Sequence, residues 1–220
     1  MKLKHLAYLR TALLLAALGL LGPLAQADMI VGAAPVTAAA GSIGNQFDVF
    51  LTNDGPGAVT VAGFTFEISV ANPSISFADA TTSTVFPYIF GANSLFGPDL
   101  TGPTSGQSLD VSDIYAIPLE GVTIGAGDTV GLGRVSFDVL AGANPGIFPV
   151  LFTAFPFTSL SDPDALDIPI TGLTSGSITI SGESPVPEPS TGALMFGVLL
   201  VAASCRNLRH PIIRKGTTNG

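Results

Sequence analysis

The chain has 220 residues, sixteen acidic against eight basic side chains, a formal net charge of −8, one cysteine and no tryptophan. A lone cysteine excludes a disulfide framework, so any folded segment is held by packing. The acidic balance repels nucleic acid phosphates and sets that partner aside.

In chain order, Lys2, Lys4 and Arg10 precede an apolar run from Ala12 to Leu21, and Gly22-Pro23 stands ahead of Ala25-Gln26-Ala27. A basic start, an apolar centre and small residues at the end are the three regions of a secretory signal peptide. Residues 1–27 are therefore expected to form a signal helix, cut by signal peptidase after Ala27 with Ala25 and Ala27 as the recognised small residues.

Residues 28–184 have the length of one domain. All sixteen acids fall between Asp28 and Glu188 and only Arg134 opposes them, which gives that region a formal charge of −15. Its periodicity is two. Phe64, Phe66, Ile68 and Val70 alternate with Thr65, Glu67 and Ser69, as in a strand with one face buried and one wet. Phe47, Val49 and Leu51 alternate with Asp48, Phe50 and Thr52, and Asn53-Asp54-Gly55-Pro56-Gly57 supplies a turn.

Further strands are predicted at Ile75 to Ala78, Leu109 to Tyr115, Val130 to Leu140, Ile147 to Phe152, Ile168 to Thr171 and Ser177 to Ser181. Val130 and Leu132 share one parity whereas Val135, Phe137 and Val139 share the other, so a β-bulge is expected at Gly133 or Arg134. Many short strands between Gly, Pro, Asn and Asp turns predict an all-β fold, an antiparallel β-sandwich.

The chemistry open to this region is narrow. It holds no His, Cys or Lys. That excludes Ser-His-Asp and Cys-His catalysis, a histidine or thiolate zinc site and a Schiff base. Carboxylate chemistry remains, with Glu67, Glu120 and Glu183 beside many aspartates, but Glu67 alternates outward as a solvated face residue and Glu120 precedes Gly121 in a turn. The expectation is a protein that is not an enzyme. Asp162, Asp164 and Asp167 crowd one loop and are candidate calcium ligands, since hard cations take several oxygens at short range. Asp110 and Asp113 stand at similar density. The competing expectation is that these aspartates form turns by bonding their own backbone. Between Thr81 and Pro103, Phe86, Tyr88, Phe90 and Phe96 either line a ligand-binding loop or join the core of strands interrupted by Pro87.

The tail begins with Pro185-Val-Pro-Glu-Pro-Ser-Thr, residues 185–191, continues as an apolar run over 192–205, and ends in a basic segment, 206–220, with Arg206 and Arg209 at its start. About fourteen helical residues span roughly 21 Å, short of the ~30 Å hydrocarbon core, so the expected membrane helix is a weak anchor that the arginines stop. Basic residues flank both apolar runs on the sides that the positive-inside rule assigns to the cytoplasm, which leaves the acidic middle outside.

Val186-Pro-Glu-Pro-Ser-Thr, the short apolar helix and the following arginines together resemble the PEP-CTERM sorting signal of exported bacterial proteins. The resemblance covers about Pro185 to Arg209, with Asn207 and Leu208 interrupting the basic cluster and Pro211 to Gly220 extending past it. It implies Pro187, Glu188 and Pro189 as the sorting signal, an exosortase-type enzyme as a processing partner, and a precursor in the inner membrane that goes on to the cell surface or extracellular matrix.

A second resemblance rests on Gly44-Asn-Gln-Phe-Asp-Val-Phe-Leu, on Val61-Ala-Gly-Phe-Thr-Phe-Glu-Ile-Ser-Val leading to Ile75-Ser-Phe-Ala-Asp-Ala, and on Gly131-Leu-Gly-Arg-Val-Ser-Phe-Asp-Val. These stretches resemble cohesin-like domains and imply a jelly-roll sandwich that serves as a binding or scaffold module; an immunoglobulin- or fibronectin-like sandwich is the alternative. Three functions fit the sequence: a structural or adhesive component of the surface or matrix, a module binding a surface polysaccharide or a protein, and a carboxylate-dependent glycoside hydrolase.

Overall fold

A computed structural model describes residues 28–100 and 106–182 of the chain. The described residues all belong to one compact unit. The expected signal peptide with Ala25 and Ala27, Glu183, the sorting signal Pro187, Glu188 and Pro189, the membrane helix over 192–205 and the stop residues Arg206 and Arg209 lie outside the described residues. Among the described residues no helix is long and apolar enough to cross a membrane.

The strands are β1 (Met29–Ala33), β2 (Val36–Ala39), β3 (Asn45–Asn53), β4 (Val59–Val61), β5 (Gly63–Val70), β6 (Ile75–Thr81), β7 (Asp99–Leu100), β8 (Ser108–Ile114), β9 (Val122–Ile124), β10 (Thr129–Val139), β11 (Gly146–Phe152), β12 (Ser159–Ser161), β13 (Asp167–Ile168), β14 (Ile170–Thr174) and β15 (Gly176–Ser181). They build two facing sheets. One runs in the order β14-β1-β3-β10-β6; the other carries β8 on one side of β5 and, on the other side, β12 beside its first half and β11 beside its second, continuing to β15 and β2. A separate two-stranded ribbon joins β4 to β9.

The first and last strands run side by side. β1 pairs parallel with β14 in one sheet and β2 pairs parallel with β15 in the other, so both chain segments cross between the sheets at the same edge. Gly176 sits at that crossing because a Cβ there would lie 2.9 Å from the Ala33 Cβ.

Alternation places the core where the sequence puts it. Phe64, Phe66, Ile68 and Val70 of β5 face Phe47, Val49 and Leu51 of β3 and Val135, Phe137 and Val139 of β10, all of them buried. The bulge in β10 falls at Leu132, one residue before the expected position: Gly131 pairs with Phe50, Gly133 with Val49, and Leu132 is the extra residue. This switch of parity decides where Arg134 goes. Without it, Arg134 would share the inward parity of Val130; with it, Arg134 lies on the outer face opposite Asp48.

Two expectations change in detail. The strand expected over Ile168 to Thr171 is broken at Pro169 into β13 and β14, which pair with β12 and β1 in different sheets. The short strands β1, β2, β4, β7, β9 and β12 carry too few alternating residues to stand out in sequence and are held by their ladder partners.

Candidate partner-binding face

The wet face of the β5 sheet is a stripe of hydroxyls and carboxylates. Thr65, Glu67 and Ser69 point outward, and across the ladder they stand opposite Ser112, Asp110 and Ser108 of β8. On the other side Ser159 of β12 pairs with Thr65, the two hydroxyl oxygens 3.1 Å apart. Glu67 accepts a hydrogen bond from the Thr153 hydroxyl at 3.0 Å, which fixes its carboxylate on the face.

Two concavities meet on this stripe at Ser159. One of about 230 Å³ is lined by Gly63, Thr65, Ser112, Ile114, Ser159 and Ser161. The other, of about 330 Å³, opens where β12 and β13 meet β14 and is lined by Phe155, Thr158, Ser159, Asp167, Ile170 and Leu173 among others. Phe155 is 66% exposed and Ile114 45%, so a polar stripe is bordered by apolar groups that nothing within the described residues covers.

The carboxylates considered from the sequence are not brought together. Asp162 serves as a turn acceptor: its Oδ1 takes the backbone N–H of Asp164 and of Leu166, each at 2.9 Å. Asp167 begins β13, and among the described residues no three of His, Cys, Asp and Glu stand close enough to hold a metal ion. Glu120 is exposed in the turn that its N–H closes on the Ile117 carbonyl. Glu67 and Asp110 are cross-strand neighbours on a wet face, and no His, Lys or Cys accompanies them between residues 28 and 182.

Asp113 has a different fate from Asp110. It is 1% exposed, and four donors satisfy it: the Tyr88 and Ser94 hydroxyls at 2.6 Å on Oδ2, and the N–H groups of Ile114 and Phe96 at 2.8 and 3.3 Å on Oδ1. Burial, then the hydrogen bond to Asp113 and its charge, push the Tyr88 hydroxyl well above the ordinary tyrosine range, with an opposing contribution from Ser94. Tyr88 and Phe90 thus belong to an inner aromatic cluster with Phe64 and Tyr115, while Phe86 and Phe96 remain exposed. The core expectation holds for Tyr88 and Phe90, and Phe86 and Phe96 lie at the surface.

A further cleft lies on the outer face of the opposite sheet. Residues 82–86 cross Gly131 there, and a Cβ on Gly131 would collide with the Thr84 side chain. The returning chain pairs at Tyr88 with Gly131. Asp48, 5% exposed, anchors this strap by accepting the Val85 N–H at 2.6 Å on Oδ2. It also binds Arg134, with Nε 2.7 Å from Oδ1 and Nη2 3.2 Å from Oδ2. The hydrogen bond to Asp48 raises the Arg134 pKa further above its ordinary value, against a smaller effect of desolvation. Spacing alone does not reveal this pair, whose members lie 86 positions apart. Its signal was the lone base of an acidic segment, sitting at a parity switch.

No protein-family model matches this chain, and no curated protein matches it. Solved structures similar to it include cohesins. A cohesin in a type I cohesin–dockerin complex from Clostridium thermocellum is 16% identical with a TM-score of 0.52, over 70% of this chain and 99% of that one. The seventh ScaB type I cohesin from Pseudobacteroides cellulosolvens is 15% identical, TM-score 0.52, over 73% and 97%. CaCohA2 from Clostridium acetobutylicum is 14% identical, TM-score 0.55, over 73% and 95%. At this identity the likeness concerns fold, and the cohesin-like β-sandwich is the fold of the described residues.

Proposed function

We propose that this chain is an exported, non-catalytic module that binds a protein partner and has a structural or adhesive role at the bacterial surface. The observation that carries the binding reading is the hydroxyl stripe of the β5 sheet, where two concavities bordered by exposed Phe155 and Ile114 meet at Ser159 within a cohesin-like sandwich. A cohesin of the same fold was solved as a cohesin–dockerin complex, which supports a protein as the ligand class. The absence of His, Cys and Lys from residues 28–182 supports a non-catalytic role, because neither a histidine- or lysine-activated nucleophile nor a soft metal site can be assembled there. Export rests on the sequence alone: a leader with Ala25 and Ala27 for signal peptidase, and the Pro187-Glu188-Pro189 signal, the apolar run and Arg206 and Arg209 for an exosortase-type enzyme.

Two measurements test this. Intact masses of the native protein and of Glu188→Gln, from envelope and medium, are expected to show a start at Asp28 and a Glu188-dependent loss of the tail; an intact, indifferent tail defeats the sorting reading. Cross-linking of the full chain to envelope proteins is expected to give a defined partner that Ser159→Arg abolishes. The same partner set with and without that substitution would defeat the docking face. Turnover of a chromogenic glycoside that Glu67→Gln removes would restore the hydrolase.

A further inference from the structure

The cleft beneath the 82–86 strap has a different chemistry from the hydroxyl stripe, and it lies on the opposite sheet. Its volume is about 410 Å³ and its walls include Pro35, Gln46, Asp48, Phe50, Phe86 and Arg134. That is within the range of small-ligand sites, ~300–1,000 Å³. Phe50 and Phe86 meet edge to face at 6.0 Å, so one ring stands roughly upright against the other and an apolar corner results. Gly32 makes this possible: a Cβ there would strike the outer end of the Phe50 ring, which comes up against the bare backbone of β1.

The polar side of the corner is set rather than floppy. Asp48 holds Arg134 through Nε and Nη2, and among the described residues no hydrogen bond engages Nη1 or the Gln46 side chain. The strap carrying Phe86 is fixed by the bond from the Val85 N–H to Asp48 and by the Thr84 hydroxyl donating to the Phe86 carbonyl at 2.7 Å. A ligand therefore meets an aromatic corner and a guanidinium edge already in position, so on this side only the exposed Gln46 carboxamide has to be ordered on binding.

We propose that this cleft binds a neutral sugar ring, a hexose unit of a surface polysaccharide. A pyranose presents a face of C–H groups, weakly positive, which packs on the negative face of an aromatic ring, and a rim of hydroxyls that both accept and donate. Phe86 and Phe50 receive the C–H face, Arg134 Nη1 donates to a hydroxyl, and the Gln46 amide donates to one and accepts from another. Charge selects against an acidic ligand. The Arg134 cation is neutralised by Asp48, and the surrounding segment from Asp28 to Glu188 carries a formal −15, a field that repels carboxylates and phosphates. With the protein-docking face on the other sheet, the module would hold a protein on one side and a glycan on the other.

The test is affinity electrophoresis of the purified full chain through gels containing dextran, galactomannan, xyloglucan or starch, with alginate as the acidic comparison. Native protein is expected to be retarded by at least one neutral polysaccharide. Phe86→Ala and Gln46→Ala are each expected to weaken that retardation on the order of tenfold with the melting temperature preserved, because both side chains reach solvent. Ser159→Arg is expected to leave it unchanged, which separates this site from the protein-docking face. No retardation by any neutral polysaccharide, retardation indifferent to Phe86→Ala, or retardation by alginate alone overturns the proposal. Loss of the cross-linked protein partner in Phe86→Ala would also overturn it, by showing that the cleft serves a protein instead.

Discussion

Arg134 and Asp48 face each other across the β3–β10 ladder with Nε 2.7 Å from Oδ1, and the other oxygen of the same carboxylate holds the backbone of Val85. One buried acid thus joins two strands and a loop. The side chains are 6% and 24% exposed for Asp48 and Arg134, so solvent screens the pair only from the arginine side.

Replacing Asp48 by Ala strips partners from Nε, Nη2 and the Val85 N–H together. The expected cost is about 3 kcal/mol, the low end for breaking a buried pair because Arg134 reaches water. For a domain of this size that lowers the melting temperature by roughly 6–12 °C. The double substitution Asp48→Val with Arg134→Met is expected to recover much of the loss, since it leaves no unpaired charge. Calorimetry of the three proteins checks this.

Gly131→Ala tests the strap independently of charge. The new Cβ meets Thr84, so residues 82–86 must lift. The expected result is a loss of about 1–3 kcal/mol and faster amide exchange at Val85, with exchange in β5 unchanged when read under native conditions.

Tyr88 gives the protein an alkaline limit. Its pKa is raised in the folded state by burial and by Asp113, so below the unfolded tyrosine value near ~10 both states are protonated and its contribution is fully present. Above that pH the unfolded chain ionises while the folded one keeps its proton, and stability falls as pH rises. Melting temperatures between pH 9 and 11 are expected to fall more steeply for the native protein than for Tyr88→Phe. At neutral pH the same substitution costs about 1.5–3 kcal/mol, the usual range for a hydrogen bond to a charged group.

Asn53 is fully buried at the end of β3. Its Nδ2 donates to the carbonyls of Gly57 at 2.7 Å and Ile124 at 3.0 Å, and its Oδ1 accepts the Gly55 N–H at 3.1 Å. Asn53→Ala is expected to cost about 2–3 kcal/mol by leaving those backbone groups without partners. Asn53→Asp costs more, because a carboxylate faces two carbonyl oxygens. Urea unfolding midpoints, at unchanged slope, measure both.

Calcium is expected to leave the melting temperature unchanged, since Asp162 Oδ1 is already occupied by two backbone N–H groups. A saturating ligand at 100 times its dissociation constant would add about 2.7 kcal/mol, a shift easily seen between calcium and chelator. Asp162→Ala is expected to cost about 1 kcal/mol as a lost turn bond.

Much of the fold is legible in the sequence where alternation is long. β5 and β3 carry enough apolar residues at period two to reveal their buried faces, and β10 shows its bulge to within one residue. The three-residue strands β4, β9 and β12 have no such signal, because their partners lie tens of residues away and a short run fits either face. The site was less legible. Tyr88, Phe90, Phe86 and Phe96 look alike in sequence, and only the pairing of Tyr88 with Gly131 turns the first two inward and leaves the others out.

The sequence by itself determined what can be read locally: the period of two, the absence of His, Cys and Lys between residues 28 and 182, and the isolation of Arg134 among acids. These depend on residue type and spacing alone. The tertiary structure decided which residues share a surface. Asp48 and Arg134 are 86 positions apart, as are Glu67 and Thr153. Their meeting depends on strand order and register, and for Arg134 on one bulged residue: a single-residue slip of β10 on β3 would turn it away from Asp48 to the other face.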